Sequence, residues 1–230
     1  MTPPAGSLMD HCTHLTVFTN MILKIHPDNP QGRHIDRVVE CLRDGGVIIY
    51  PTDTVYGLGC DINNKKAVER ICRIKGIDPK KSHLSCVCED LAIIGTYANH
   101  VTTPMYKLMK AALPGPYTFI LEASKMIPKH FQHKKTFGIR VADHSIPKIL
   151  CEQLGNPIAS ISLPMDENQP EFSNDPELIY QRYMKEVDIV VDCGVGGIAA
   201  STVIDLSNGE QDIEVIREGK GSLEEIGLVF

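Results

Sequence analysis

The densest group of residues able to do chemistry is the segment from Tyr50 to Asp61, which reads YPTDTVYGLGCD. It places the hydroxyl side chains of Thr52 and Thr54 on either side of the Asp53 carboxylate, and its glycines allow a ligand to approach the backbone closely. Such groups just beyond a buried strand are typical of a polar small-molecule site, because α/β sheets bind ligands at that edge. A tight structural turn is the alternative. The spacing excludes a Walker A loop and a dinucleotide-binding fingerprint.

Charge is unevenly distributed along this chain of 230 residues, whose formal net charge is −6. The net acidic charge argues at first against nucleic acid or polyphosphate as a ligand. However, two basic runs lie in the middle of the chain, over 65–81 and 125–140, while the acidic residues collect in the C-terminal half. Two basic runs in one domain favour a shared cationic cleft for an anion, although either run alone could be a solvated surface.

The composition is that of a globular domain with a sizeable core, since 43% of the residues are hydrophobic and 23% are charged. No apolar stretch approaches the roughly 20 residues of a transmembrane helix. The eight cysteines include no Cys-x-x-Cys pair, so we predict reduced core thiols, no metal site and a cytoplasmic protein. Residues 1–20 contain no targeting pattern. We therefore predict that Met21 is the true start or that 1–20 is a disordered N-terminal extension, and that 21–230 is one domain.

Short strands and helices that alternate along the chain must position these groups. Strands are predicted over 21–25, 47–50, 84–88, 117–121, 137–141, 158–161, 187–191, 202–206 and 213–217. Helices are predicted through 35–42, from a cap at Asn63 or Asn64 to Gly76, and over 90–98, 104–113, 146–154 and 176–185. The polar segment 164–175 is predicted to be a mobile surface loop. This order predicts a single α/β domain with a mixed sheet.

The string PTDTVYGLGCD closely resembles the signature of the YrdC/YciO family. The resemblance continues in family order through RICRIKG, PGPYTFIL, GIRV, STVIDL and VIREG, and it covers about 21–221. It implies a twisted α/β domain with an open, basic, concave surface. It also implies an L-threonylcarbamoyladenylate synthase, which combines L-threonine, bicarbonate and ATP, releases pyrophosphate and supplies an intermediate for modifying an adenosine in tRNA. Mg²⁺ would accompany ATP, with no permanently bound cofactor, and double-stranded RNA is a further implied partner.

The matching motifs also imply ligand contacts. Side chains expected at the substrate are Thr52, Thr54, Arg140, Ser162, Ser201 and Thr202. Thr54 lies where the family contacts threonine, and Arg140 is expected near the substrate carboxylate, because a planar guanidinium can pair with two oxygens. Lys75 and Arg217 are expected at the phosphates and ATP. The resemblance implies positioning and charge stabilisation without a covalent intermediate, so no catalytic residue is assigned.

RNA-binding candidates come from the two basic runs: Arg70, Arg73, Lys80, Lys81, Lys134 and Lys135. The chain also departs from the family pattern, because Ile77 replaces the arginine of a Lys-x-Arg motif and Pro164 replaces the asparagine of a Ser-x-Asn motif. These changes favour the YciO branch over the YrdC branch. Three hypotheses remain: a full or weakened synthase, an RNA-binding protein without synthase activity, and a nucleotide-dependent enzyme with another acceptor.

Overall fold

The computed structural model describes residues 20–78, 84–131, 135–164, 169 and 171–228. Ten strands occur in this part of the chain: β1 (Met21–Lys24), β2 (Ile48–Tyr50), β3 (Gly57–Asp61), β4 (Ser85–Val87), β5 (Tyr117–Glu122), β6 (Thr136–Arg140), β7 (Ile158–Ser162), β8 (Ile189–Asp192), β9 (Thr202–Asp205) and β10 (Glu214–Arg217). The helices are α1 (Gly32–Arg43), α2 (Lys65–Lys75), α3 (Ile94–Tyr97), α4 (Thr103–Ala112), α5 (Ser145–Leu154), α6 (Glu171–Asn174) and α7 (Pro176–Tyr183), followed by a 3₁₀ turn over Glu224–Ile226.

All ten strands form one mixed sheet in the order β1-β8-β2-β3-β7-β4-β6-β5-β9-β10. Parallel pairs join β1 to β8, β8 to β2, β4 to β6 and β5 to β9. The remaining neighbours are antiparallel. The sheet and its flanking helices form a single α/β domain, which confirms the predicted fold class.

Helices cover the two faces of the sheet unequally. On one face, α1 and α5 pack over β1, β8 and β2, with Ile35 and Leu150 among the fully buried side chains. On the other face, a larger core includes Ile71 of α2, Met109 of α4 and Ile179 of α7. The first face is therefore left open over the strands from β7 to β9, and this open region carries the candidate site described below.

Local signals predicted the helix ends well. The side chain of Asn64 accepts a hydrogen bond from the backbone N–H of Ala67 at 3.0 Å and caps α2. Gly76 ends the same helix in the left-handed conformation, with a φ of 71°. The predicted helix over 90–98 was wrong in its first part, because only Ile94–Tyr97 is helical. The predicted loop over 164–175 contains the short helix α6.

The sequence prediction missed strand β3, which lies within the segment interpreted as a loop. Glycines weaken strands because they contribute no side chain to packing, so GLGCD did not indicate one. The structure explains the glycine at position 59. A Cβ there would lie 2.6 Å from Cε1 of Tyr50 and 2.8 Å from Cγ2 of Ile158. The ring of Tyr50 thus occupies the space over the strand.

We expect Gly59→Ala to lower the free energy of unfolding by about 1–3 kcal/mol, because the added methyl group overpacks the space beside Tyr50 and Ile158. Gly95→Ala is the matched control, since a Cβ at Gly95 meets nothing within 4 Å. Chemical denaturation of both variants measures the difference. Equal midpoints for the two variants would contradict the packing argument.

Other predictions are settled only for the described residues. Every helix within these ranges is too short or too polar to span a lipid bilayer. The seven described cysteines are free thiols, and all except Cys193 are buried, which agrees with the predicted core thiols. Burial raises the pKa of the Cys41 and Cys151 thiols to about 12, so these groups are inert at neutral pH. Residues 1–19 lie outside the described residues, and the N-terminal extension stays a prediction.

Candidate functional site

A cavity of about 740 Å³ opens on the uncovered face of the sheet. Its lining includes three cationic side chains, Lys75 from the end of α2, Arg140 from β6 and Arg217 from β10. Because residues alternate between the two faces of a strand, every second residue of the central strands faces the cavity. The strands that contribute these residues lie far apart in sequence.

The floor of the cavity consists of small residues. Ser85 pairs with Gly138 of β6 on one side and with Ser160 of β7 on the other. A Cβ on Gly138 would lie 3.1 Å from Cβ of Ser85 and 3.3 Å from Cγ2 of Thr118, so a larger side chain would fill the space above the sheet. The small floor gives a ligand room between the surrounding cations.

Arg140 and Asp53 form a buried ion pair at one end of the cavity. Nη2 of Arg140 donates to Oδ1 of Asp53 at 2.5 Å and to Oγ1 of Thr54 at 2.7 Å. Only 7% of the Arg140 side chain and 9% of the Asp53 side chain are exposed. Oδ2 of Asp53 and Nε of Arg140 are both buried without a hydrogen-bond partner. These two atoms are exceptions to the rule that buried polar groups are paired, and the ion pair as a whole is enclosed by protein.

The loop between β2 and β3 is held in shape by its own hydroxyls. Oγ1 of Thr52 donates to the carbonyl of Val55 at 2.7 Å and accepts from the backbone N–H of Thr54 at 3.1 Å. Nζ of Lys220 donates to the carbonyl of Asp53 at 2.5 Å. These contacts fix Asp53 and Thr54 against the guanidinium of Arg140.

The two other cations are also partly buried. Nζ of Lys75 donates to the carbonyl of Ser162 at 2.6 Å, and burial, together with the charge of Arg217, lowers the pKa of Lys75. Nη2 and Nε of Arg217 donate to the carbonyl of Ser201 at 2.8 and 3.1 Å. Burial and the charge of Arg140 lower the pKa of Arg217. These mutually repelling charges favour an anion in the cavity.

The structure brings most of the predicted contacts together. Six predicted residues line the cavity: Thr52, Lys75, Arg140, Ser162, Ser201 and Arg217. Thr54 lies beneath Arg140, with 1% of its surface exposed. Thr202 is a correction, because its hydroxyl donates to the carbonyl of Gly221 and accepts from the N–H of Gly219. It supports the C-terminal turn and does not face the cavity.

The predicted RNA-binding residues are not gathered in the same way. Arg70 faces another part of the protein, because Nη1 pairs with Oδ2 of Asp188 at 2.6 Å and Nη2 donates to the carbonyl of Glu186. Arg73 and Lys135 are exposed. Lys80, Lys81 and Lys134 lie outside the described residues. The part of the predicted basic surface that can be described is therefore small, and RNA binding stays a prediction.

Both departures from the family pattern have a structural context. Ile77 is half-buried and packs against the larger core, while its N–H donates to the carbonyl of Cys72 at 2.9 Å, as in a Schellman motif. It is not among the residues that line the cavity. The carbonyl of Pro164 accepts a hydrogen bond from Oγ of Ser173 at 3.0 Å. At position 77 an isoleucine that packs against the core therefore stands where the family pattern has an arginine.

Several cavity residues were not predicted. Ser85, Gly138 and Ser160 form the floor, and small residues alternating in apolar strands were the available signal. Asp205 lines the cavity and belongs to the STVIDL string, but no chemistry was assigned to it. Among the described residues, no group of three or more His, Cys, Asp or Glu side chains could hold a metal ion, and the expectation of Mg²⁺ with ATP stays a prediction.

The sequence of this chain matches one family model and several known proteins. A family model described as "Telomere recombination" (Sua5/yciO/yrdC) matches residues 40–219. The chain is 44% identical over 202 residues to "Uncharacterized protein YciO" of Escherichia coli K12, which covers 86% of this chain and 95% of that protein. It is 31% identical over 180 residues to "Threonylcarbamoyl-AMP synthase" of Pseudoalteromonas translucida, which covers 76% of this chain and 95% of that protein.

Solved structures match the fold as closely. The crystal structure of E. coli YciO has a TM-score of 0.80 at 42% identity, and the match covers 90% of this chain and 99% of that one. P. abyssi Sua5 complexed with L-threonine has a TM-score of 0.79 at 26% identity, and the match covers 90% of this chain and 59% of Sua5. The fold described above is therefore found in solved relatives.

Proposed function

The chain belongs to the Sua5/YciO/YrdC family, and from that premise we propose that it is a threonylcarbamoyl-AMP synthase of reduced strength. The proposed reaction consumes L-threonine, bicarbonate and Mg-ATP and releases pyrophosphate. The observation that carries the proposal is the cavity itself, where Lys75, Arg140 and Arg217 surround a floor of small residues. Its volume of about 740 Å³ lies in the usual range of small-molecule sites.

The chemistry needs positioned reactants and negative-charge stabilisation. The threonine amine and bicarbonate condense to a carbamate with loss of water. A carbamate oxygen then attacks the α-phosphorus of ATP, the new P–O bond forms, and the bond from the α-phosphorus to the bridging oxygen breaks as pyrophosphate leaves. Lys75 and Arg217 are placed to neutralise the triphosphate, and fixed cations stabilise the charge that develops at phosphorus.

The guanidinium of Arg140 supports an amino acid as the second reactant. Arg140 lines the cavity, and a planar guanidinium can pair with the two oxygens of a carboxylate. Threonine is the amino acid proposed, since the relative P. abyssi Sua5 has been crystallised with L-threonine.

The reduced strength rests on Ile77. Its side chain packs against the core where the family pattern has arginine, so the triphosphate has one charge-assisted contact fewer. Such a contact contributes about 1.5–3 kcal/mol to binding.

We expect the purified chain to release pyrophosphate from ATP only when L-threonine and bicarbonate are both present. A coupled pyrophosphate assay at high enzyme concentration measures the rate, and omitting each reactant in turn provides the controls. Detection of threonylcarbamoyl-AMP by mass spectrometry identifies the product. Pyrophosphate release with no requirement for threonine would indicate an enzyme with another acceptor, and no release at all would remove the synthase.

A further inference from the structure

Asp205 is the one acidic side chain that lines the cavity in the described part of the chain. It ends strand β9, in a site otherwise surrounded by Lys75, Arg140 and Arg217. Oδ1 of Asp205 accepts a hydrogen bond from the backbone N–H of Ser207 at 2.8 Å. No described donor bonds to its Oδ2. A carboxylate can only accept hydrogen bonds, so a ligand group that meets this oxygen must be a donor.

The strand register gives the position of Asp205 in the sheet relative to Arg140. Gly138 of the floor lies opposite Ile120, which in turn lies opposite Asp205. Arg140 follows Gly138 by two residues. Neighbouring strands lie about 4.8 Å apart, and two residues along a strand span about 6.8 Å. Asp205 and Arg140 are separated by two strand spacings and two residues, so their Cα atoms are roughly 12 Å apart.

Arg217 is nearer to Asp205 and belongs to the next strand. It pairs with Val203, whereas Asp205 pairs with Glu214. The same spacings place the Cα atoms of Arg217 and Asp205 roughly 8 Å apart. A ligand with a phosphate bound to Arg217 would therefore present the group next to that phosphate to Asp205. Val203 and Ile216, which also line the cavity, provide an apolar wall beside this group.

We propose that Asp205 binds the ribose hydroxyls of the nucleotide and fixes the direction in which the nucleotide enters the cavity. The inference rests on the proposed function, since it names the nucleoside end of the same site. The ribose hydroxyls are the donors nearest to the phosphates of ATP.

Nucleotide binding by the full chain tests this proposal. The probes are Mg-ATP and Mg-2′,3′-dideoxy-ATP, whose sugar lacks both hydroxyls, and calorimetry measures each affinity. We expect Asp205→Asn to weaken ATP binding about tenfold or more, as for loss of a hydrogen bond to a charged group. Binding of the dideoxy nucleotide should be unchanged. The matched control is Glu214→Gln, because Glu214 pairs with Asp205 on β10 but does not line the cavity.

Each other outcome overturns the proposal in a distinguishable way. An equal loss for both nucleotides would assign Asp205 to structure or to general electrostatics. An effect that disappears when EDTA removes Mg²⁺ would assign it to the metal. No effect on either nucleotide would leave the ribose without this contact, while the proposed synthase would stand. If the unsubstituted chain fails to bind ATP, both the ribose contact and the proposed function fall.

Discussion

Replacement of Arg140 by methionine is expected to destabilise the fold by about 3–5 kcal/mol, the usual cost of leaving one partner of a buried ion pair uncompensated. The remaining charge belongs to Asp53, whose side chain is only 9% exposed. The hydroxyl of Thr54 also loses one of its two partners, since Nη2 of Arg140 donates to it at 2.7 Å and Oγ1 of Thr52 lies 3.0 Å from it. Pyrophosphate release that depends on threonine should fall about 10- to 100-fold, because the guanidinium that meets the amino acid is gone.

A double variant separates the structural part of this effect from the functional part. In Asp53→Asn/Arg140→Met no charge is left buried, so we expect a large share of the lost stability to return while activity stays lost. Chemical denaturation measures stability, and the coupled assay measures activity. If Arg140→Met unfolds at the same denaturant concentration as the unsubstituted chain, then the ion pair contributes nothing to the fold. If the double variant recovers activity, Arg140 has no role at the substrate.

Sequence reasoning succeeded where structure depends on nearby residues. The cap at Asn64 and the stop at Gly76 are set by a few residues around them, so α2 was predicted closely. Strand β3 was missed because its glycines are required by a distant residue, Tyr50, whose ring lies where a Cβ of Gly59 would be. No local pattern in GLGCD reports that contact. The strand is defined by packing that the chain forms only after it folds.

The sequence also could not show which basic residues of the run over 65–81 face the cavity. Arg70 and Lys75 belong to the same helix, but five residues turn an α-helix by about 140° beyond one full turn. Lys75 therefore reaches the carbonyl of Ser162 in the cavity, whereas Arg70 pairs with Asp188. The run could not distinguish them, because their directions depend on how α2 packs. The family motif did distinguish them, since it assigns a phosphate contact to Lys75 alone.

The net charge of −6 is compatible with a cationic site because the cations come from separate strands and helices. Lys75, Arg140 and Arg217 are brought together by the strand order, while many acidic residues stay on the surface. Burial strengthens each interaction in the cavity and leaves it less screened by salt. The local field of the site, and not the sum over the chain, therefore determines which ligand binds.

Replacement of Lys75 by methionine is expected to weaken Mg-ATP binding about 10- to 100-fold through loss of a charge-assisted contact. The fold should not lose stability. Because burial and Arg217 lower the pKa of Lys75, the charged ammonium is held at a cost in the free protein, and the methionine variant is expected to be equally or more stable. Lys65→Met is the matched control, since Lys65 belongs to the same helix but its side chain is 68% exposed.

The titration of Lys75 should make ATP binding depend on pH. The triphosphate stabilises the charged ammonium, so the pKa of Lys75 is higher in the complex than in the free protein. Between these two values ATP binding takes up a proton, and affinity falls as the pH rises through the free-state pKa. We expect this fall at a lower pH than the one at which an ordinary lysine loses its charge, because burial and the charge of Arg217 lower the pKa of Lys75 in the free protein. Calorimetry in two buffers with different ionisation enthalpies measures the proton uptake.

Lys75→Arg keeps the charge without titrating in this range, so it should abolish the pH dependence. An unchanged pH dependence in that variant would place the titrating group elsewhere.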